Sequence, residues 1–491
     1  MSALPFALAS AAPTITLVTG VGDSISNNFY LLKAAGPAAL DTAGDVAILG
    51  SLAGWKVVKG ADAAILLYTS MECIPIANLG EKDPSTGGIF TKLSDPVMSA
   101  SGAVAFIGSL KIAGLITKAN NTGVYVYKND GLSLVARAGK PAPTGTAFSV
   151  PVTYGTFDEI AINNAGGVAF TGEVVGQGIK APAFFAADES GALHMLFADF
   201  KSSVPNPLLV QSLNAFGPLT FVQGQSRSFD SVGGNAALIG EIDPLFKGNI
   251  TLALSGVSGF TTSTVAQLGE TGGSLGTATI KSLGEPVVNS KSTVAFLAGV
   301  TGGDNKDLIC LVSGSNLSDV TPTGQIFTKL SDPVLNNHDH VAFLGTTKAG
   351  ANPSTTGIWS DWDGTMKQVV KAGDTAPGGF GGKFAAFTQI VLPDVGGPIF
   401  LATLSGVPKS QSTGLWAIAS DETLTPIVVT GDTTNTLDFH GVAETVKSLS
   451  IFQTAPGVRG VSRSFDASTG NLVFKAGFTD GLWGMYKFTQ Q

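Results

Sequence analysis

The chain has 491 residues, a net charge of −8 and only 13% charged residues, against a typical value of about 25%. The acidic balance and the lack of any basic cluster exclude the electrostatic footprint of a nucleic-acid partner. Apolar residues make up 44%, but no run of about 18 of them occurs, so no transmembrane helix is expected.

Residues 1–12 resemble the end of a signal peptide, with Ala9 and Ala11 placed for cleavage after Ala11. The positively charged start of such a peptide is missing, so either upstream residues have been lost or the resemblance is chance. The low charge and the many Thr, Ser and Gly residues also suit a secreted, extracellular or cell-surface protein. Glycine, at 63 residues, and proline, at 24, are frequent enough to punctuate many short elements.

One phrase then recurs along the chain: a Gly- or Asn-rich turn followed by a small apolar strand. It is Gly44-Asp45-Val46-Ala47-Ile48, then Gly102-Ala103-Val104-Ala105-Phe106, then Gly166-Gly167-Val168-Ala169-Phe170. It continues as Asn235-Ala236-Ala237-Leu238, Ser292-Thr293-Val294-Ala295-Phe296 and Asp339-His340-Val341-Ala342-Phe343. Gly396-Gly397-Pro398-Ile399-Phe400 and Gly470-Asn471-Leu472-Val473-Phe474 complete the set. The period is about 60 residues, near the long end of propeller blade repeats. After each phrase comes a second strand rich in aromatic and β-branched residues, such as Gly123 to Tyr127, Ala183 to Ala186, Gly357 to Trp359 and Gly414 to Ile418. Tight turns such as Asn129-Asp130-Gly131 and Asp363-Gly364 then predict hairpins. A third strand ends in a Gly-Lys, Gly-Asp or Gly-Glu step, as at Gly139, Gly373, Gly431, Gly269 and Gly80, and a fourth piece such as Ile89 to Leu93 leads onward. No helical periodicity of useful length is present.

Four short strands per unit predict an all-β, eight-bladed β-propeller, with seven blades as the alternative. The last unit runs out after Trp483 to Phe488. Ile15 to Val18 and Phe29 to Lys33 are expected to supply what it lacks. The termini should thus share one blade and leave no sheet edge unpaired. The predicted organisation is one propeller over 13–491, in two four-blade halves of about 35–255 and 256–491, with 13–34 completing the last blade. The halves show in exact copies: Ile89 to Val97 recurs as Ile326 to Val334, and Ser226 to Asp230 as Ser462 to Asp466. Cys73 and Cys310 fall in opposite halves and form no Cys-x-x-Cys pattern, so two unpaired, buried thiols are expected.

At Ile162-Asn163-Asn164-Ala165-Gly166-Gly167-Val168-Ala169-Phe170 the chain resembles the bacterial tandem-repeat family named for an N-x-x-G-x-x-A-F motif, whose members carry various C-terminal surface anchors. Only Asn163 to Phe170 matches fully. Asn337 to Phe343 has His where the motif has Gly and is one residue shorter. The resemblance implies an exported, surface-associated protein and no established activity. The chain ends at Phe488-Thr489-Gln490-Gln491 without a hydrophobic anchor, which favours free secretion or assembly with partners.

Several constellations are candidate binding sites. Asp95, Glu159, Glu285 and Asp332 each lie eleven positions before a closing Phe. They could form a partial carboxylate ring with hard oxygens for a cation; the plainer reading is that each caps a turn. Arg227 with Asp230, and Arg463 with Asp466, follow the long connections 205–225 and 433–460. Such an Arg could clasp a carboxylate or sugar acid, or tie its loop to the blade. His338 and His340 could share a metal from one strand face, though a polar turn is the expected role, and no metal or other cofactor is predicted. His194 and His440 stand alone. No catalytic residues are assigned. Trp55, Trp362 and Trp483 could stack on sugars. The expected function is a non-enzymatic extracellular propeller that binds partners or assembles with copies of itself or with a surface glycan or protein. The rivals are a carbohydrate-active hydrolase or lyase and a glycan-binding lectin.

Overall fold

Alternation of Val, Phe or Ile with small residues suits a pleated surface buried on both sides. The computed structural model places all eight copies of the phrase in strands. It describes residues 13–25, 30–54, 57, 59–143, 151–163, 165–176, 178–188, 190–198, 236–240, 249–256, 259–348, 354–451 and 464–490. Strands dominate. Gly273–Leu275 and Lys409–Gln411, each a single 3-10 turn, are the only helical pieces among the described residues.

The strands form a β-propeller of antiparallel blades. In the second blade the order is Gly131–Arg137, Thr122–Lys128, Val104–Leu110 and an inner strand split into Phe90–Leu93 and Val97–Met98. The phrase strand is thus second from the inner edge. The hairpin turn beyond it is set by Asn129 and Asp130, at φ 51° and 58°, so Gly131 opens the next strand.

The structure corrects the blade count. Seven sheets among the described residues carry four strands or more, which is the alternative count and not the expected eight. The copy at Asn235 to Leu238 does yield a strand, Ala236–Gly240, but it sits in a three-stranded sheet with Asn249–Gly256 and Gly259–Gln267. Its Ala237 and Ala266 pack on Ile280 and Phe296 of the blade that follows. The segment before it, where a fourth strand would be sought, lies outside the described residues. Below, the seven complete blades are numbered in chain order from the one containing Val46–Ala53.

The fourth piece of each unit also changes owner. Phe90–Leu93 pairs with the phrase strand that follows it, so it is the inner strand of the next blade. The same holds for Tyr30–Ala35, which pairs with Val46–Ala53 in blade 1 and does not complete the last blade. The Gly-acid or Gly-Lys step makes this hand-over. Gly22 (φ 88°) donates its N–H to Leu32 O at 2.8 Å, and Leu32 N returns to Asp23 O at 2.9 Å. Gly139 and Tyr154 make the matching bond between blades 2 and 3, again with positive φ at the glycine.

Blade 7 closes through the N-terminal strand, as expected for Ile15 to Val18 though not for Phe29 to Lys33. Its strands are Val446–Ile451, Leu472–Phe478, Trp483–Thr489 and, outermost, Thr14–Gly20. Ile15 faces Phe488 and Gly20 faces Gly484. A hairpin of Leu437–Phe439 and Val442–Glu444 covers the seam. Phe439 lies where a side chain on Gly20 would have to go, Tyr486 donates to Asp438 O at 2.9 Å, and His440 Nε2 lies 2.7 Å from Asp23 Oδ1.

The hydrophobic core runs between blades, and inside most blades three aromatic rings stack in a row. In blade 2, Phe106 stacks on Tyr125 at 5.4 Å while Phe90 meets Tyr125 edge-on at 5.2 Å. Blade 6 repeats this with Phe384, Phe400 and Trp416, and blade 3 with Tyr154, Phe170 and Phe185. Two residues after the closing Phe, a Gly or Ala leaves room for the rings. A Cβ on Gly108 would stand 2.8 Å from Phe90 and 2.9 Å from Tyr125. Gly108→Val is therefore expected to cost about 3 kcal/mol through overpacking, read as a lower denaturant midpoint at unchanged slope.

Candidate functional site

The polar residues that the sequence singles out divide into those the fold uses and those that remain available. The first group explains the motif asparagine. Asn289 Oδ1 accepts from Lys291 N and Thr293 N, both at 3.0 Å, and so fixes the turn into the phrase strand. Its Nδ2 donates to Asn336 O in the next blade at 2.9 Å. Asn336 repeats the arrangement: it accepts from His338 N and His340 N and donates to Pro393 O at 2.9 Å. The clasp continues from Asp394 N to Ala467 O at 2.8 Å, and Lys487 Nζ reaches Gly44 O at 3.1 Å across the seam. Asp41, Ser99 and Asn163 cap the same turn in blades 1, 2 and 3. The motif position thus holds the turn shut in blades 1 to 5, and where Asn occupies it in blades 4 and 5 it also couples neighbouring blades.

The four carboxylates lie on inner strands of blades 2, 3, 4 and 5. Asp95, Glu285 and Asp332 fall in the break between the two inner-strand pieces, and Glu159 lies at a register shift in Thr153–Ile162. Asp95 lies against Gly36 of blade 1 and Asp332 against Gly284 of blade 4, so these two carboxylates face the preceding blade. Among the described residues no group of three or more His, Cys, Asp or Glu is arranged to hold a metal ion. Glu159 has a different neighbourhood. Burial, then the charge of Asp158, pushes its carboxyl up to about 7, and Asp158 is itself raised by burial and by Glu173. The folded state therefore keeps a proton that the unfolded chain releases above the ordinary value of 4.5. Stability should fall as pH rises from about 4.5 to about 7. Glu159→Gln removes that loss, so the variant should gain about 1–2 kcal/mol at pH 8, allowing for solvent screening, and nothing at pH 4. Thermal unfolding at both pH values checks this; equal gains at both would contradict it.

Asp466 caps its own turn, accepting from Ser468 N at 3.3 Å and from Thr469 N at 3.2 Å. Arg227, Asp230, Arg463 and Trp55 lie outside the described residues. The two histidines part company: His338 Nδ1 is 3.0 Å from Asp394 O, whereas His340 Nδ1 is 3.8 Å from Asp361 Oδ1. His194 pairs with Asp188 at 2.7 Å. Both cysteines are free. Cys310 is fully buried, its thiol pushed up to about 12 by burial; Cys73 is only half-buried, which corrects the expectation for that residue. Trp359 and Trp416 are core residues, and Trp362 packs under Lys367 Nζ at 5.8 Å.

One cavity was not anticipated. A cleft of about 460 Å³ opens on blade 7, lined by Lys447, Ser448, Ser450, Lys475, Leu482 and Trp483 among others. Val446–Ile451 and Leu472–Phe478 build its floor, and register pairs Ser450 with Lys475 and Ser448 with Gly477. A Cβ on Gly477 would collide with Ser448 Oγ at 2.5 Å, so the glycine keeps the floor open. Lys475 Nζ lies 4.3 Å from the Trp483 ring centroid. Its ammonium is half-buried, and that burial lowers its pKa. A sequence signal for this site exists. The residue after the closing one is Leu49, Ile107, Thr171, Ile239, Leu297, Leu344 or Leu401 in the other seven copies, and Lys475 in the last.

Radially stacked four-stranded sheets, closed through a shared terminal blade, define a β-propeller protein. Within that class the chain belongs to the family described as "Family of unknown function (DUF7453)", which matches residues 14–201 and 210–487. No curated protein matches the chain. Similar solved structures include the β-propeller domain of the Trilobed protease from Pyrococcus furiosus. It is 9% identical at a TM-score of 0.36, covering 82% of this chain and 97% of that one. The Dos1 propeller is 10% identical at a TM-score of 0.38, covering 93% and 94%. A Mycobacterium tuberculosis puromycin-hydrolyzing peptidase is 10% identical at 0.37, covering 91% of this chain and 63% of that one. Likenesses this distant carry no argument about function. No helix among the described residues is long and apolar enough to cross a membrane.

Proposed function

We propose that the chain is a non-enzymatic extracellular propeller that presents binding surfaces on a rigid ring. The observation that carries this reading is the use to which its distinctive polar residues are put. Asn289, Asn336 and Asp466 serve turns, and the two asparagines also serve blade clasps, while the two lysines of the blade 7 cleft join no such network among the described residues. Rigid scaffolds that free a few side chains suit recognition. Export, surface association and kinship with the N-x-x-G-x-x-A-F repeat family belong to this proposal, supported by the motif and the low charge. So do the ligand roles of Asp95, Glu159, Glu285, Asp332, Arg227, Asp230 and Arg463, whereas Asp466 serves its own turn.

Among the rivals, the lectin reading gains most, because the cleft combines hydroxyls, ammonium groups and an indole. Light scattering on the purified protein, together with a glycan array and a panel of polysaccharide hydrolysis and lyase assays, tests the reading. A discrete particle that binds glycans without turnover is the expected result, and a polymer would favour self-assembly. Turnover abolished by Glu159→Gln would overturn the non-enzymatic reading.

A further inference from the structure

Resting on that reading, we propose that the blade 7 cleft binds an acidic saccharide through its carboxylate, with Lys475 and Lys447 on the anion and Ser448 and Ser450 on sugar hydroxyls.

Three observations lead there. First, the repeat breaks at one point. Seven copies place Leu, Ile or Thr after the closing residue, and only the last places a lysine. Repeats diverge freely on their surfaces, but Lys475 lies in a strand whose neighbours Phe474 and Ala476 are fully buried. A half-buried ammonium is unfavourable without an anion. Second, among the described residues neither Lys475 nor Lys447 has a carboxylate within ion-pair distance; the ion-paired lysines are Lys180, Lys291 and Lys367. Lys475 is instead held over the Trp483 ring. That contact orients the ammonium while leaving its charge uncompensated. Third, the lining suits a sugar. Sugars present hydroxyls beside C–H surfaces, and here Ser448 and Ser450 lie among Leu449, Phe478 and Leu482. An acidic peptide side chain would use the ammonium groups alone. A volume of about 460 Å³ lies within the range of about 300–1,000 Å³ typical of small-ligand sites.

The variant that tests this is Lys475→Leu, which restores the residue found at positions 297, 344 and 401 and should fold at least as stably as the parent. The full chain is titrated by calorimetry with oligomers of glucuronic and galacturonic acid, with neutral glucose oligomers, and with glutamyl peptides. Binding of a uronic-acid oligomer is expected, weakened at least tenfold in Lys475→Leu and several-fold in Lys447→Met, and lost as pH rises through the lysine's lowered pKa. Neutral oligomers and glutamyl peptides should bind at least tenfold more weakly. Equal binding of neutral sugars, tighter binding of the peptides, no binding of either uronate, or unchanged affinity in Lys475→Leu would each overturn the proposal. Glycan binding on the array that survives in Lys475→Leu would overturn this cleft and leave the broader binding reading intact.

Discussion

Removing residues 1–20 is expected to cost about 5 kcal/mol and to make the ring associate through its exposed edge. The estimate takes about 1 kcal/mol net for each hydrogen bond or packed pair lost along the outer strand. Thr14–Gly20 pairs along its length with Trp483–Thr489, and Ile15 and Leu17 pack against the blade 7 core. Deletion leaves Trp483–Thr489 as an unpaired edge, a template for pairing with another chain. It also strips the seam hairpin of its support, since Phe439 rests on Gly20. Thermal unfolding and size-exclusion chromatography read both effects. A synthetic peptide of residues 13–20 should restore the melting temperature in a concentration-dependent way, because strand addition is mainly backbone pairing. Loss of stability without rescue by the peptide would mean that the hairpin, and not the strand, holds the ring.

The second large effect is expected at Asn336. It is 2% exposed and makes five hydrogen bonds through its side chain and carbonyl, to His338, His340, Pro393, Asn289 and Asp339. Asn336→Leu keeps the branched shape but strands two turn N–H groups and the carbonyl of Pro393. At about 1–3 kcal/mol for a buried unsatisfied group, partly relieved by water at the turn, the loss should be about 3–5 kcal/mol. Asn336→Asp keeps the acceptor of both turn N–H groups, as Asp41 does in blade 1, and replaces the donor to Pro393 with a second acceptor, so it should cost less than Asn336→Leu. Chemical denaturation of the pair decides the matter: equal losses would show that the blade clasp dominates over the turn.

The sequence was most informative about local matters. Strand positions, hairpin turns and the Gly-acid step all depend on residues within a few positions of one another, and each occurs where the residue pattern places it. Closure by Ile15 to Val18 was legible too, because the last unit visibly lacked a strand. The aromatic stacks were half legible. Phe106 and Tyr125 stand out, but the need for a small residue at Gly108 appears only once the rings of two strands are seen to share its space.

What the amino-acid sequence determined by itself is the repeating strand unit and the all-β, ring-closing plan, since a strand's two faces and its turns are written in adjacent residues. The tertiary structure alone decided which blade owns each inner strand, how many blades are complete, and that Asp95 and Asp332 turn toward a neighbouring blade. It also showed that Lys475 stands over Trp483 in an open cleft. Those outcomes rest on contacts such as Lys487 to Gly44, which join the two ends of the chain. No local pattern encodes the distance between residues so far apart; packing of the closed ring sets it.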